Sequence, residues 1–167
     1  MKHTASHNHI KLICISAMFA ALVFVATFLV KVPLPVGYVH IGDGIVFLAS
    51  ALLPLPYAMV ASAVGVGLAD LCVGYAIYIP ITVIIRILTV LFFSRKKPML
   101  SWHNIIALAA AIILCAVGYW AFEAVFMYEN GMAALAGIPF NLAQSALGAV
   151  IYVIVSKAAG KWLKKAI

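Results

Sequence analysis

Runs of apolar residues, each ended by proline, glycine or a knot of charge, divide the chain into six helical stretches. The first runs from about Lys11 to Val30 and stops where Pro33, Pro35 and Gly37 disfavour helix. A short second stretch covers about Val39 to Leu53 and ends at Pro54-Leu55-Pro56, and a third runs from Tyr57 to about Val73, closed by Gly74. The fourth, about Ala76 to Phe93, stops at Ser94-Arg95-Lys96-Lys97-Pro98. The fifth extends from about Asn104 to Met127, before Glu129-Asn130-Gly131, and the sixth from about Met132 to Ser156. Crossing a bilayer takes about 20 mostly apolar residues. The pattern therefore predicts an all-α integral membrane bundle of six transmembrane helices over residues 11–157, between short tails at 1–10 and 158–167. Fusing stretches two and three into one re-entrant unit is the alternative, but together they exceed one crossing.

Composition agrees and excludes a water-soluble globule: 67% of the residues are hydrophobic and 9% charged, against about 45–50% and about 25% in soluble domains. Eleven Lys and Arg face four acids, a net charge of +7. The basic residues fall in clumps between apolar stretches: Lys2 with Lys11, Arg95 with Lys96 and Lys97, and Lys157, Lys161, Lys164 and Lys165. A nucleic-acid partner would need a continuous basic surface, and none is expected here. Cytoplasmic loops collect Lys and Arg, and with six spans these clumps all share one side, so both termini are placed in the cytoplasm (N-in, C-in). The exceptions are Lys31, outside, and Arg86, within the fourth stretch. The run Leu12 to Val30 exceeds the usual 7–15-residue core of a signal peptide, so it reads as a retained helix. Cys14, Cys72 and Cys115 lie in separate apolar stretches without C-x-x-C spacing and read as packing residues.

Ionisable groups in hydrocarbon cost at least about 2.5–3.5 kcal/mol each at mid-bilayer, so each demands a reason. Asp43 opens the second stretch, while Asp70 and Glu123 lie near the outer ends of the third and fifth, giving all three a similar outward depth. Neutral polar groups follow them: Tyr75, Tyr78 and Thr82 on the fourth stretch, Tyr119 and Trp120 on the fifth, Asn141 and Gln144 on the sixth. Tyr75, Tyr78, Thr82 and Arg86 step by three, four and four, Tyr119 and Glu123 by four, and Asn141, Gln144 and Gly148 by three and four. Each set forms one stripe along its helix. Stripes converging at one depth describe a small-molecule pocket open to the outside, with aromatics to clamp a flat ring and carboxylates and amides to bind its edge. The plainer alternative is that these groups satisfy one another between helices, or that Tyr and Trp form an interfacial belt.

Arg86 sits near mid-bilayer, too deep to snorkel, and needs an acid or a cavity; Asp70 is the candidate partner. Small residues form a second pattern: Ala17 with Ala21, Ala58 with Ser62, Ala61 with Gly65, and Ala63 with Gly67. Such spacing permits close helix approach, either inside the monomer or against another membrane subunit. His3, His7 and His9 could hold a metal, but a solvated tail explains them more simply. No G-x-x-x-x-G-K-[ST] motif occurs, so ATP hydrolysis is assigned to other chains, and no repeat of broken helices marks a self-sufficient transporter.

Several ordered segments resemble the membrane-embedded substrate-binding S components of energy-coupling factor (ECF) vitamin transporters. They are Ala17-Met18-Phe19-Ala20-Ala21, Val39-His40-Ile41-Gly42-Asp43, Leu68-Ala69-Asp70 with Gly74-Tyr75, Tyr78-Ile79-Pro80-Ile81-Thr82 and Pro139-Phe140-Asn141-Leu142-Ala143-Gln144. The likeness covers nearly the whole chain and is nearest to the riboflavin and pyridoxine or hydroxymethylpyrimidine branch. Pro54-Leu55-Pro56 departs from the Gly-Pro turn of that pattern. The resemblance implies a multi-pass protein of a bacterial plasma membrane that binds a small vitamin tightly without a cofactor. It also implies a transmembrane scaffold subunit and two ATPase subunits as partners, with transport by toppling in the bilayer. Carried onto this sequence, Ala17 and Ala21 would dock on the scaffold, and the Pro33-to-His40 loop would gate the pocket. The expected vitamin-binding set is then Tyr38, His40, Asp43, Asp70, Tyr75, Tyr78, Thr82, Tyr119, Glu123, Asn141 and Gln144. A pyridoxine or pyrimidine ring is the favoured ligand and riboflavin the next.

Two other classes remain as alternatives. An intramembrane aspartyl protease could use Asp43 and Asp70 as a proton-sharing pair, but His40-Ile41-Gly42-Asp43 lacks Gly-x-Gly-Asp and Leu68-Ala69-Asp70 lacks Tyr-Asp. A stand-alone transporter or an assembly factor would differ in taking up substrate alone or in binding no vitamin at all.

Overall fold

The computed structural model describes residues 2–34 and 38–167, with side chains from Asn8 onward. Pro35 and Gly37 of the gate loop, and the His3 and His7 side chains, lie outside the described residues. The helices are α1 (Lys2–Leu29), α2 (Gly42–Leu52), α3 (Leu55–Val73), α4 (Ile79–Phe92), α5 (Trp102–Phe126), the single turn α6 (Gly131–Ala134) and α7 (Ile138–Ala166). Short 3-10 turns lead into α4 and α7. Four helical segments are long and apolar enough to cross a membrane: Asn8–Leu29, Leu55–Val73, Trp102–Phe126 and Gly131–Ala166. Two are shorter, Gly42–Leu52 and Ala76–Phe92.

The second stretch differs most from expectation. Val39 and His40 are not helical but form a strand, β2 (Tyr38–His40), paired antiparallel with β1 (Lys31–Pro33) so that Val32 faces Val39. Pro33 ends the first strand, where a missing N–H is tolerated at a sheet edge. What remains, α2, has 11 residues and is about 16 Å long, too short to cross hydrocarbon alone. It is buried almost throughout, which the run Val46 to Leu53 permits: its one polar residue, Ser50, donates its hydroxyl to the Val46 carbonyl at 2.7 Å. Helices α1, α3, α4, α5 and α7 pack in that order, and α2 sits between α7 and α1 while also packing against α3 and α4. The outer helices show lipid a continuous apolar skin, for example Leu22 on α1, Val64 on α3 and Ile154 on α7.

Helix ends follow local chemistry. Pro54 and Pro56 open α3, in the first turn where no amide hydrogen is required. Gly74 closes α3 at φ 89°, a left-handed conformation that favours glycine. The Tyr75 N–H then donates to the Asp70 carbonyl at 2.8 Å, which fixes these two residues beside each other. At the opposite end, the buried Asn104 amide binds both Ser94 and Pro98, and Lys164 donates to the carbonyls of Arg95 and Lys97. Residues 158–166 continue α7 as helix, and α1 begins at Lys2, so regular structure extends beyond the predicted spans at both termini.

The small residues divide into two groups. A Cβ on Gly65 would lie 2.6 Å from the Ala20 carbonyl oxygen, so this glycine is used inside the monomer for close α1–α3 approach. Ala58, Ala61 and Ser62 are likewise buried, whereas Ala17 and Ala21 are exposed on the outer face of α1.

Candidate functional site

The hairpin, the ends of α3 and α5, the start of α4 and the start of α7 surround one cavity of about 480 Å³, measured to its open mouth. Its enclosed part is narrow, with room for only a few waters. Ten of the eleven residues expected from sequence line it: Tyr38, His40, Asp70, Tyr75, Tyr78, Thr82, Tyr119, Glu123, Asn141 and Gln144. Leu34, from the loop expected to gate the pocket, and Gly137 also line it, and neither was among the expected binding residues. The signals were present but weak: Leu34 belongs to the loop between the two strands, and Gly137 stands one residue before α7. A Cβ at Gly137 would come within 2.7 Å of Glu123 Oε2, so this glycine leaves room for the carboxylate.

Helical spacing delivers the wall residues. Tyr78, in the 3-10 turn that leads into α4, and Thr82, on α4, lie on one buried stripe, with Arg86 one turn deeper. The Tyr78 hydroxyl donates to Glu123 Oε1 at 3.2 Å, and the hydroxyls of Thr82 and Tyr119 are 3.0 Å apart. Tyr38, Tyr75, Tyr78 and Tyr119 form a chain of rings with centroids 5.5, 6.0 and 6.2 Å apart. Asn141 donates to the Gly137 carbonyl at 3.2 Å and shapes the rim. Trp120, by contrast, is outside the wall; its indole N–H donates to the Gly131 carbonyl.

Two bonds hold the hairpin over the cavity. The Tyr38 hydroxyl donates to Asp70 Oδ1 at 2.6 Å, and the His40 backbone N–H donates to Gln144 Oε1 at 3.1 Å. The His40 ring accepts the Gly42 N–H at Nδ1, 3.1 Å away, which assigns its proton to Nε2.

Asp43 is the expected residue that does not line the cavity. It lies beneath the floor, fully buried, with Oδ1 2.8 Å from Arg86 Nη2 and Oδ2 accepting the Ser145 hydroxyl at 2.6 Å. Gln144 Nε2 adds contacts of 3.4 Å to both oxygens. This corrects the expected partner of Arg86: it is Asp43, not Asp70. Because the chain before Gly42 forms a hairpin, the first turn of α2 starts deep in the bundle, and Asp43 meets the arginine that was too deep to snorkel. The Arg86 contact is an ion pair by distance, and its Nε lacks a hydrogen-bond partner among the described residues. Ser145, which completes this cluster, was missed because a lone serine on a helix carries no distinctive spacing.

An apolar-skinned helical bundle with one polar, aromatic-walled cleft defines a membrane protein that handles a small polar molecule. The family model described as ECF-type riboflavin transporter, S component, matches residues 7–161. The chain therefore belongs to that family, and it is a transporter's substrate-binding subunit rather than an enzyme. No curated protein matches the chain.

Proposed function

We propose that this chain binds a small water-soluble vitamin in the cleft under the hairpin and delivers it to a separate ATP-driven membrane module. The observation that carries this reading is the convergence of ten polar or aromatic side chains, from the hairpin and four helices, on one cavity. The narrow enclosed volume and the tyrosine wall favour one planar nitrogenous ring, of the pyridoxine or hydroxymethylpyrimidine type. Riboflavin is the second reading, favoured by the description of the matched family. Mass spectrometry of the small molecule that co-purifies with the full chain tests both. A pyridoxine-type or pyrimidine ligand supports the first and a flavin the second. Failure of any vitamin to bind the purified chain would contradict both.

In this reading six segments cross the bacterial plasma membrane, with both termini and the Arg95–Lys97 loop cytoplasmic. The short α2 crosses together with the hairpin that precedes it. Ala17 and Ala21 offer a docking surface to the transmembrane scaffold subunit, which works with two ATPase subunits. Support comes from their exposure in an apolar groove between α1 and α3, with Phe24, Val60 and Leu68 in its walls. Uptake into vesicles only when all partner subunits are supplied is the expected result; uptake by this chain alone would make it a stand-alone transporter.

A further inference from the structure

Helix α7 is longer than a bilayer requires. Its 29 residues extend about 43 Å, against a hydrocarbon core of about 30 Å, so a crossing begun at Ile138 is complete after about 20 residues, near Lys157. From there the helix changes character. Lys157, Lys161 and Lys165 are exposed and follow one another at four-residue intervals along one stripe. Like charges at that spacing repel, and α7 contains no acid to relieve them. The negative end of the helix dipole accounts for Lys164 and Lys165 in the last turn, but not for Lys157 and Lys161 before it.

The loop between α4 and α5 adds three more cations at the same end of the bundle, and it is pinned in place. The Tyr152 hydroxyl donates to the Met99 carbonyl at 2.6 Å, and a Cβ on Gly160 would stand 3.1 Å from Met99 Sδ. Lys164 donates to the carbonyls of Arg95 and Lys97, so its ammonium joins the loop to α7. Arg95, Lys96 and Lys97 remain exposed next to the end of the α7 stripe. The four acids of the chain, Asp43, Asp70, Glu123 and Glu129, all lie elsewhere: at the cleft, under its floor, or just past the far end of α5. Two indoles mark the level of this basic face. Trp102, 78% exposed, opens α5 three residues after Met99, and Trp162, 69% exposed, follows Gly160 by two residues. Exposed tryptophans on an apolar-skinned bundle belong where hydrocarbon gives way to headgroups, which puts the cations among the lipid phosphates.

We propose that this end of the bundle is a binding surface for anionic phospholipids, with the headgroup phosphate taken between the Arg95–Lys97 loop and the Lys157–Lys161–Lys165 stripe and the acyl chains lying past Trp102 and Trp162. Basic clusters beside a membrane-crossing helix attract anionic headgroups, and here two pinned segments present the cluster already assembled. A zwitterionic lipid brings its own ammonium to a face that is already cationic, and is held less well. The surface is separate from the cleft and independent of what the cleft binds.

Tryptophan quenching by brominated lipids tests this on the full chain reconstituted in phosphatidylcholine vesicles. Trp120→Phe removes the one indole at the other end, leaving emission from Trp102 and Trp162. A minor share of brominated phosphatidylglycerol is expected to show at least about threefold higher relative binding than the same share of brominated phosphatidylcholine. The preference should fall towards unity in the triple variant Lys157→Gln, Lys161→Gln, Lys165→Gln, and should survive millimolar glycerol phosphate in the buffer. Equal quenching by the two lipids on the chain with all its cations would overturn the proposal, and that result does not depend on how the triple variant folds. An undiminished preference in the folded triple variant would overturn the role of the α7 stripe. Loss of the preference to glycerol phosphate would overturn the lipid as occupant in favour of a soluble phosphate compound.

Discussion

The cleft under the hairpin and the groove between α1 and α3 are both concave, but their walls have opposite chemistry. The cleft is lined by tyrosines, amides and two carboxylates drawn from separate helices. The groove is lined by alanine, valine, leucine and phenylalanine, with polar groups only at the end where His9 meets the Tyr57 hydroxyl and Ser16 donates to the Tyr57 carbonyl. Polar groups inside hydrocarbon are costly and must be justified by a ligand or by one another. Alanines on a lipid-facing ridge cost nothing and let a second helix come near. In the proposed reading the first region serves recognition of a small molecule and the second serves contact with another helix.

The strongest test of this division lies under the cleft floor. Asp43→Ala would leave Arg86 buried without its carboxylate, and breaking such a pair costs about 3–5 kcal/mol. A large fall in thermal midpoint in detergent is expected, with binding lost as a consequence. A variant as stable as the parent would show that the pair is not what holds the floor. Ala17→Trp, on the groove, should do the reverse: binding in detergent stays within about twofold because no cleft residue is touched, while uptake in the assembled transporter is abolished. Equal loss of both would end the separation of the two regions.

Smaller effects sharpen the comparison within the cleft. Asp70→Asn removes a charged acceptor and is expected to weaken vitamin binding about tenfold to a hundredfold in titration calorimetry, with little change in thermal midpoint. Tyr38→Phe deletes only the 2.6 Å bond that ties the hairpin to α3. It should change affinity by about tenfold at most.

Much of this was legible in the sequence, for identifiable reasons. Spacings of three and four placed Tyr78, Thr82 and Arg86 on one stripe, and the scarcity of polar residues made Asn141 and Gln144 conspicuous in an apolar helix. Legibility failed where depth depended on tertiary structure. Asp43 and Asp70 have similar sequence settings near helix ends, but the hairpin starts α2 deep in the bundle, so Asp43 neutralises Arg86 while Asp70 faces the cleft. The hairpin itself was hidden because Tyr38-Val39-His40 runs into the apolar stretch that follows it and reads as its first turn. The alanine pairs were ambiguous for the same reason, since spacing alone does not separate buried Ala58 and Ala61 from exposed Ala17 and Ala21.

Native mass spectrometry of the full chain released from detergent, before and after incubation with pyridoxine, hydroxymethylpyrimidine and riboflavin, tests the central claim most directly. One vitamin per chain, retained by the unaltered protein and by Ala17→Trp but lost from the double variant Asp70→Asn, Glu123→Gln, is the expected result. A chain that stays empty with all three, or whose bound vitamin is indifferent to those two carboxylates, would contradict the assignment of the cleft.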